Sequence, residues 1–285
     1  MRNKWQILNS LALRIIAMAA MVIDHVAVLI VEFHLPIGST AYVLMRIIGR
    51  IALPLFVFLA LEGVRYTRNI KKYLLRLGVM FGVMGIISAI IEYGLRVSLP
   101  PRNIFIDLLS GVTLIYFLLH PRKKNWFYLL PSIYLLTANM VSIFTNIRYP
   151  AFLLPDYGWF SLLLFLAYFL AYFLARTYLE KSTGVKIATE QELTNNNSFQ
   201  FLYVTLLSVF LLWVNLIWYI LDVTLPILTK MLALQSYSIL AGFFLLLYNG
   251  RSGYQARWLQ CFYYAFYPLS LGVTALILFL ISLTN

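Results

Sequence analysis

With 285 residues, of which 62% are hydrophobic and 11% charged, the chain has the composition of a polytopic membrane protein and leaves no polar stretch long enough for a separate water-soluble domain. The formal net charge of +12 does not point to nucleic acid, because the basic residues sit at the ends of apolar runs, where membrane topology accounts for them. A lone cysteine, Cys261, excludes an intramolecular disulfide framework.

Met1 to Gln6 is a short polar start carrying Arg2 and Lys4, and an apolar run follows from about Leu8 to Val31. Ala17-Met18-Ala19 resembles a signal cleavage site, yet the run continues well past it, so the first membrane helix is expected here rather than a signal peptide. Further spans are expected at about 41–64, 73–95, 103–120, 126–146, 158–178, 199–221, 231–248 and 258–283. The fold class is therefore all-α, a single-domain membrane bundle of about nine helices, eight to ten being the range. With the N-terminus cytoplasmic, the inside connectors hold 15 Lys and Arg, while the outside ones hold Arg96, Arg102, Arg148 and Lys230. That asymmetry sets the orientation and, for nine spans, puts the C-terminus outside. The polar stretch 179–200, with Glu180, Lys181, Glu190, Glu192 and Asn195-Asn196-Asn197, is expected to be a mobile cytoplasmic linker. It would join a front bundle, about 1–178, to rear helices, about 201–285. No internal repeat is visible, which weighs against a transporter built from two similar halves.

The chemistry concentrates between Leu13 and Arg76, where ionisable residues fall within apolar segments. Arg14 and His25 are eleven residues apart, so they share one helix face at depths about 16 Å apart. Such a stripe suits a groove that admits a long ligand from the cytoplasm. Asp24 is turned about 100° from His25 and faces a neighbouring helix instead. The second span supplies that neighbour: Arg46 and Arg50, at i and i+4, lie as far beyond the outer turn near Pro36 as Asp24 and His25 lie before it. Two buried guanidiniums need an anion, and Asp24 is the fixed one at that depth. Plainer readings stand beside these. Arg14 can snorkel to headgroups, the Asp24 pair can be a structural lock, and His25 can be a hydrogen-bonded core histidine. Three histidines and one cysteine without ligand spacing give no metal site.

The connector after the second span, Tyr66 to Arg76, carries Arg68, Lys71, Lys72 and Arg76. Positive-inside anchoring accounts for it, and so does a seat for phosphates; the two readings are compatible.

Three blocks carry a family likeness: Arg14 through Asp24-His25; Leu44-Met45-Arg46 through Gly49-Arg50 to Pro54-Leu55-Phe56; and Glu62-Gly63 with Thr67-Arg68-Asn69 to Lys72-Tyr73 and Arg76. Asn103, Phe105, Tyr157-Gly158, Leu247-Tyr248-Asn249-Gly250 and Phe266-Tyr267-Pro268 extend it. The chain resembles the TraX family, named for a conjugation-system membrane protein that acetylates pilin. Arg followed some ten residues later by His also resembles the first-helix signature of the acyltransferase-3 superfamily. The resemblance implies acetyl-CoA as a cytoplasmic donor, His25 as general base, and an acceptor reached from outside, either an envelope glycan hydroxyl or an exported protein amine. Asp24, Arg46 and Arg50 would fix the polar cluster, while Arg14, Arg68, Lys72 and Arg76 would hold the donor. One departure stands out: the TraX pattern continues Phe-Tyr-Pro-x-His, and this chain has Ser270 at the last position. A proton-coupled small-molecule transporter and a non-catalytic envelope or conjugation assembly protein remain as alternatives.

Overall fold

The computed structural model describes residues 5–95, 102–144, 150, 153–187, 189–224, 234–254 and 256–284. The orientation residues Arg2, Lys4, Arg96, Arg148 and Lys230, and the side chains of Arg257 and Cys261, lie outside the described residues.

Helix α1 spans Ser10–Glu32 and starts where the Asn9 side chain accepts a hydrogen bond from the Ala12 N–H. Its buried positions include Leu13, Ala17, Ala20, Met21, Asp24 and Ala27. These repeat at helical spacing, so Asp24 lies on the packed stripe itself. The next apolar run forms two helices in line, α2 (Ser39–Gly49) and α3 (Ala52–Tyr66), interrupted at Arg50 and Ile51. Helix α4 (Ile70–Ala89) starts at an Asn69 cap and ends in a π turn, Ile90–Gly94. Helix α5 is Ile104–Leu119. A 3₁₀ turn, Lys123–Leu129, leads into α6 (Leu130–Phe144), and α7 follows at Trp159–Thr183. Short α8 (Glu190–Asn195) and long α9 (Asn197–Thr224) come next. A 3₁₀ turn, Gln235–Leu240, precedes α10 (Ala241–Leu246), and α11 (Arg257–Ser282) carries Pro268 in its interior.

The protein is an all-α, polytopic membrane bundle. Six helical segments are long and apolar enough to cross a bilayer: Ser10–Glu32, Ser39–Tyr66, Ile70–Gly94, Trp159–Thr183, Asn197–Thr224 and Phe262–Ser282. The segments expected at 103–120, 126–146 and 231–248 are helical but shorter. Ile104–Leu119, at 16 residues, reaches about 24 Å against a hydrocarbon core of about 30 Å.

Helix α7 packs against α3, α5 and α9, while α11 returns to pack on α1 and α4. Front and rear helices thus share one core, to which Leu13, Phe58, Phe165, Tyr203, Trp218, Ala241 and Ala275 all contribute. Apolar side chains such as Leu166, Phe173, Trp213, Ile217 and Ile220 face outward, where lipid replaces water as the solvent.

The 179–200 segment corrects the expectation of a mobile linker. Helix α7 runs to Thr183, and α8 and α9 are separated by Asn196 alone, whose side chain accepts from the Phe199 N–H. Leu193 and Phe199 are fully buried. The glutamate that reads as solvated charge, Glu190, is held by Arg65, Arg176 and Tyr172. Near the start of α1, Leu8 and Tyr248 form an isolated parallel bridge, with Leu8 N–H to Leu247 O at 2.9 Å and Asn249 N–H to Leu8 O at 2.8 Å.

Candidate active site

The break between α2 and α3 positions two guanidiniums on one carboxylate. Arg46 Nη1 lies 2.8 Å from Asp24 Oδ2, and Arg50 Nη2 approaches both oxygens at 3.2 and 3.4 Å. Arg50 Nη1 also donates to Gln235 Oε1 at 3.1 Å, which ties the 3₁₀ turn before α10 to the front helices. Gly49 makes the approach possible: a Cβ there would overlap the Asp24 carboxylate. Asp24 and Arg50 are buried, whereas the Arg46 side chain keeps 20% of its surface. Each charge-assisted contact in such a setting is worth about 1.5–3 kcal/mol, and removing one partner exposes the other to the full cost of burial.

His25, one residue on and turned by about 100°, does not join that triad. Its ring meets Tyr267 of α11 edge-on at 5.3 Å between centroids, and Tyr267 in turn meets Phe105 of α5 edge-on at 5.8 Å. His25 Nδ1 and the Tyr267 hydroxyl are buried without a hydrogen-bond partner among the described residues. Ser270 Oγ donates to the Tyr267 carbonyl at 3.0 Å. The loop before α7 approaches the same region. Asp107 collects the N–H groups of Asp156 and Gly158 at 2.8 Å each, and the Ser161 hydroxyl at 2.9 Å, and so fixes that loop. Burial pushes the Asp156 carboxyl up to about 6, against the opposing pull of the Arg102 and Arg50 guanidiniums.

A cavity of about 1070 Å³ occupies the half of the bundle that holds the start of α1. This is at the upper end of the range for small-molecule sites. Arg14, Lys72, Arg76 and Arg251 stand on its wall, as do Met18, Leu59, Leu77 and Leu108. It extends along α1 from Asn9 to Met21, about 18 Å, and includes Phe105 and Tyr267. The Arg14 guanidinium lies 4.7 Å over the Tyr263 ring. Tyr267 therefore has the cavity on one side and His25 on another.

A carboxylate on that wall, Glu62, is already engaged. It accepts from Arg65 in a close ion pair, from the Tyr203 hydroxyl at 3.2 Å and from the Tyr248 hydroxyl at 3.3 Å. Arg65 also reaches Glu190 at 2.9 Å, and its guanidinium lies 4.5 Å from the Tyr172 ring and 5.2 Å from Tyr203.

A family profile described as "TraX protein" matches residues 10–212. The chain belongs to the TraX family. A stretch of 76 residues is also 42% identical to a protein of Dichelobacter nodosus described as "Probable fimbrial assembly protein FimC, serogroup H1". That match covers 27% of this chain and 29% of the relative, so the chain spans less than a third of the protein it resembles. No solved structure matches.

Within this TraX chain, the residues singled out from sequence fall into separate places. Asp24, Arg46 and Arg50 meet in one cluster; His25 adjoins it but contacts Tyr267; Arg14, Lys72 and Arg76 stand on the cavity wall. Arg68 is exposed and off that wall. Sequence reasoning assigned no role to Gln235, Asp156, Arg65, Glu190 or Arg251, and quoted Tyr267 only as part of a family block. For Tyr267 that block was the available signal. Gln235 and Asp156 carry none, since their neighbours in sequence do not predict which helix they meet. Among the described residues, no group of three or more His, Cys, Asp and Glu is placed to hold a metal ion.

Proposed function

We propose that this TraX family membrane protein is an acetyltransferase that moves an acetyl group from cytoplasmic acetyl-CoA to an acceptor outside, an exported pilin-like protein amine or an envelope glycan hydroxyl. The observation that carries this reading is the cavity. It has a basic rim of Arg14, Lys72, Arg76 and Arg251, an apolar depth, and Tyr267 in contact with His25. A phosphorylated ligand with a reactive far end fits that sequence of environments. The N-terminus is then cytoplasmic, as the Lys and Arg asymmetry requires.

In the proposed reaction, acetyl-CoA lies with its phosphates at Arg14, Lys72 and Arg76, with Arg68 at the outer fringe, and its thioester towards Tyr267. The acceptor approaches from the Asp24 side. His25 takes the proton from the acceptor O–H or N–H, the freed lone pair forms a bond to the thioester carbonyl carbon, and the C–S bond breaks. The coenzyme A thiolate leaves with its electron pair and takes up the proton that His25 holds. Asp24 keeps Arg46 and Arg50 in register, and Arg46, partly exposed, faces the developing oxyanion. Tyr267 swings aside for the thioester to reach His25. No metal takes part in these steps.

Inside-out vesicles supplied with radiolabelled acetyl-CoA test the reading. Label appears on an acceptor on the lumenal side, and His25→Ala lowers the rate by about 10²–10⁴-fold while leaving donor binding in place. Wild-type vesicles that bind acetyl-CoA but transfer nothing to any supplied glycan or pilin favour the second reading, a non-catalytic assembly protein, which the description of the relative as a fimbrial assembly protein supports. Proton-driven flux of a small solute, without acyl transfer, favours a transporter.

A further inference from the structure

The cavity rim has a side that the family blocks at 62–76 do not supply. The segment after α10 runs back across the start of α1 and is fixed there by its backbone: Leu8 N–H to Leu247 O, Asn249 N–H to Leu8 O, and Ser10 N–H to Arg251 O at 2.8 Å. The Asn249 side chain accepts from the Arg251 N–H at 2.9 Å. Gly250 and Gly253 turn the chain at φ +74° and +76°, conformations that L side chains rarely adopt. A Cβ at Gly253 would stand 2.9–3.0 Å from the side chains of Leu11 and Asn9. The loop is therefore held rigidly against α1, and Arg251 projects from it on the cavity wall.

Charge decides what this loop is for. Arg14, Lys72, Arg76 and Arg251 all line the cavity, and none has a carboxylate partner among the described residues. Glu62 on the same wall is committed to Arg65, Tyr203 and Tyr248. Four cations from three segments, with one carboxylate already neutralised, call for a ligand carrying more than one negative charge. Two exposed rings on the same rim, Tyr254 at 66% and Tyr66 at 44%, offer flat faces to a base.

We infer that the glycine-turned loop 249–254 is one jaw of a polyphosphate seat, with Arg251 facing Lys72 and Arg76 across the cavity mouth and taking the phosphates of a nucleoside diphosphate group. The assignment of that group to coenzyme A rests on the proposed function; the phosphate seat itself does not. Preorganisation is the physical advantage: a backbone fixed by three hydrogen bonds loses little further freedom when the anion arrives.

The test uses full-length protein in nanodiscs of neutral lipid, titrated with ADP, with coenzyme A and with pyrophosphate. All three bind, and Arg251→Gln weakens each by about tenfold or more, as loss of one charge-assisted contact predicts, and flattens the salt dependence. Lys72→Gln behaves alike, while Arg122→Gln, in the connector after α5, does not. Thermal unfolding of the variants matches wild type, which separates the effect from misfolding. Wild-type protein that binds none of the three, or an Arg251→Gln variant with undiminished ADP affinity, overturns the inference. So does an Arg251→Gln effect seen only as lost stabilisation by anionic lipid, which would assign the site to headgroup phosphates. If ADP binding depends on Arg251 while acetyl-CoA supports no transfer, the seat stands and the acetyltransferase reading fails.

Discussion

Two buried clusters of arginine and carboxylate sit on α2 and α3, about twelve residues apart, and they are built to opposite ends. Around Glu62 and Arg65, every strong group is answered. Glu62 accepts from an arginine and two tyrosine hydroxyls, and Glu190 from two arginines and Tyr172. Aromatic rings enclose the Arg65 guanidinium, whose side chain is 2% exposed. Around Asp24, two guanidiniums contact one carboxylate, Arg46 stays partly open, and the neighbouring His25 has a nitrogen with no partner among the described residues. A saturated cluster holds helices together. One with spare hydrogen-bonding capacity has something left to offer a ligand, and this difference makes the Asp24 region the better place to look for chemistry.

The sharpest way to break that comparison is to remove the inner arginine. Arg65→Ala leaves two glutamates without their shared cation, at a cost of about 3–5 kcal/mol for a broken buried pair. The expected outcome is loss of folded protein, read as a lower unfolding temperature in detergent and poor recovery on size exclusion. Full stability in Arg65→Ala would mean that the cluster is not a lock. A smaller effect is expected at Gly49→Ala, where the added methyl meets the Asp24 carboxylate and forces α1 and α2 apart, costing about 1–3 kcal/mol as overpacking does. Transfer activity falls further than stability in that variant if the triad is chemical, and in proportion to stability if it is only structural. Arg46→Gln sharpens the point from the other side. Asp24 keeps Arg50, so unfolding shifts by about 1 kcal/mol or less, while acetyl transfer drops about tenfold or more through loss of oxyanion stabilisation.

The smallest expected effect is a slope with pH. The Asp156 carboxyl is raised by burial from an unfolded value of about 4 to about 6. Between those values the unfolded chain has given up this proton and the folded protein has kept it, so stability falls as pH rises through that window and levels off above it. Asp156→Asn removes the slope, and thermal unfolding at pH 4.5 and pH 6.5 measures it. An unchanged slope in the variant would assign the titration to another group.

What the sequence made legible follows from local rules. Arg46 and Arg50 could be matched to Asp24 because a hairpin relates depths by counting from its turn, and i,i+4 spacing puts both on one face. The caps at Asn9, Asn69 and Asn103 are likewise local. The inner cluster was hidden by the same logic. Arg65 reads as one more positive-inside residue and Glu190 as linker charge, and only the return of α8 over α3 pairs them. Gln235 and Tyr267 come from the rear third of the chain, where no periodicity says which front helix they meet. Arg68 shows the converse limit: its spacing placed it among the phosphate-binding candidates, but its side chain stands off the cavity wall.

The backbone bridge between Leu8 and Tyr248 bears on how the protein is made. The first helix emerges from the ribosome long before the segment that hydrogen-bonds to its start, and α11, which packs on α1 and supplies Tyr263 and Tyr267, emerges last. The cavity therefore has no complete wall until synthesis is almost finished. A nascent or truncated chain is not a weaker version of the finished molecule; it has no enclosed site at all, and the cell is spared a half-built membrane protein able to draw on its pool of phosphorylated metabolites.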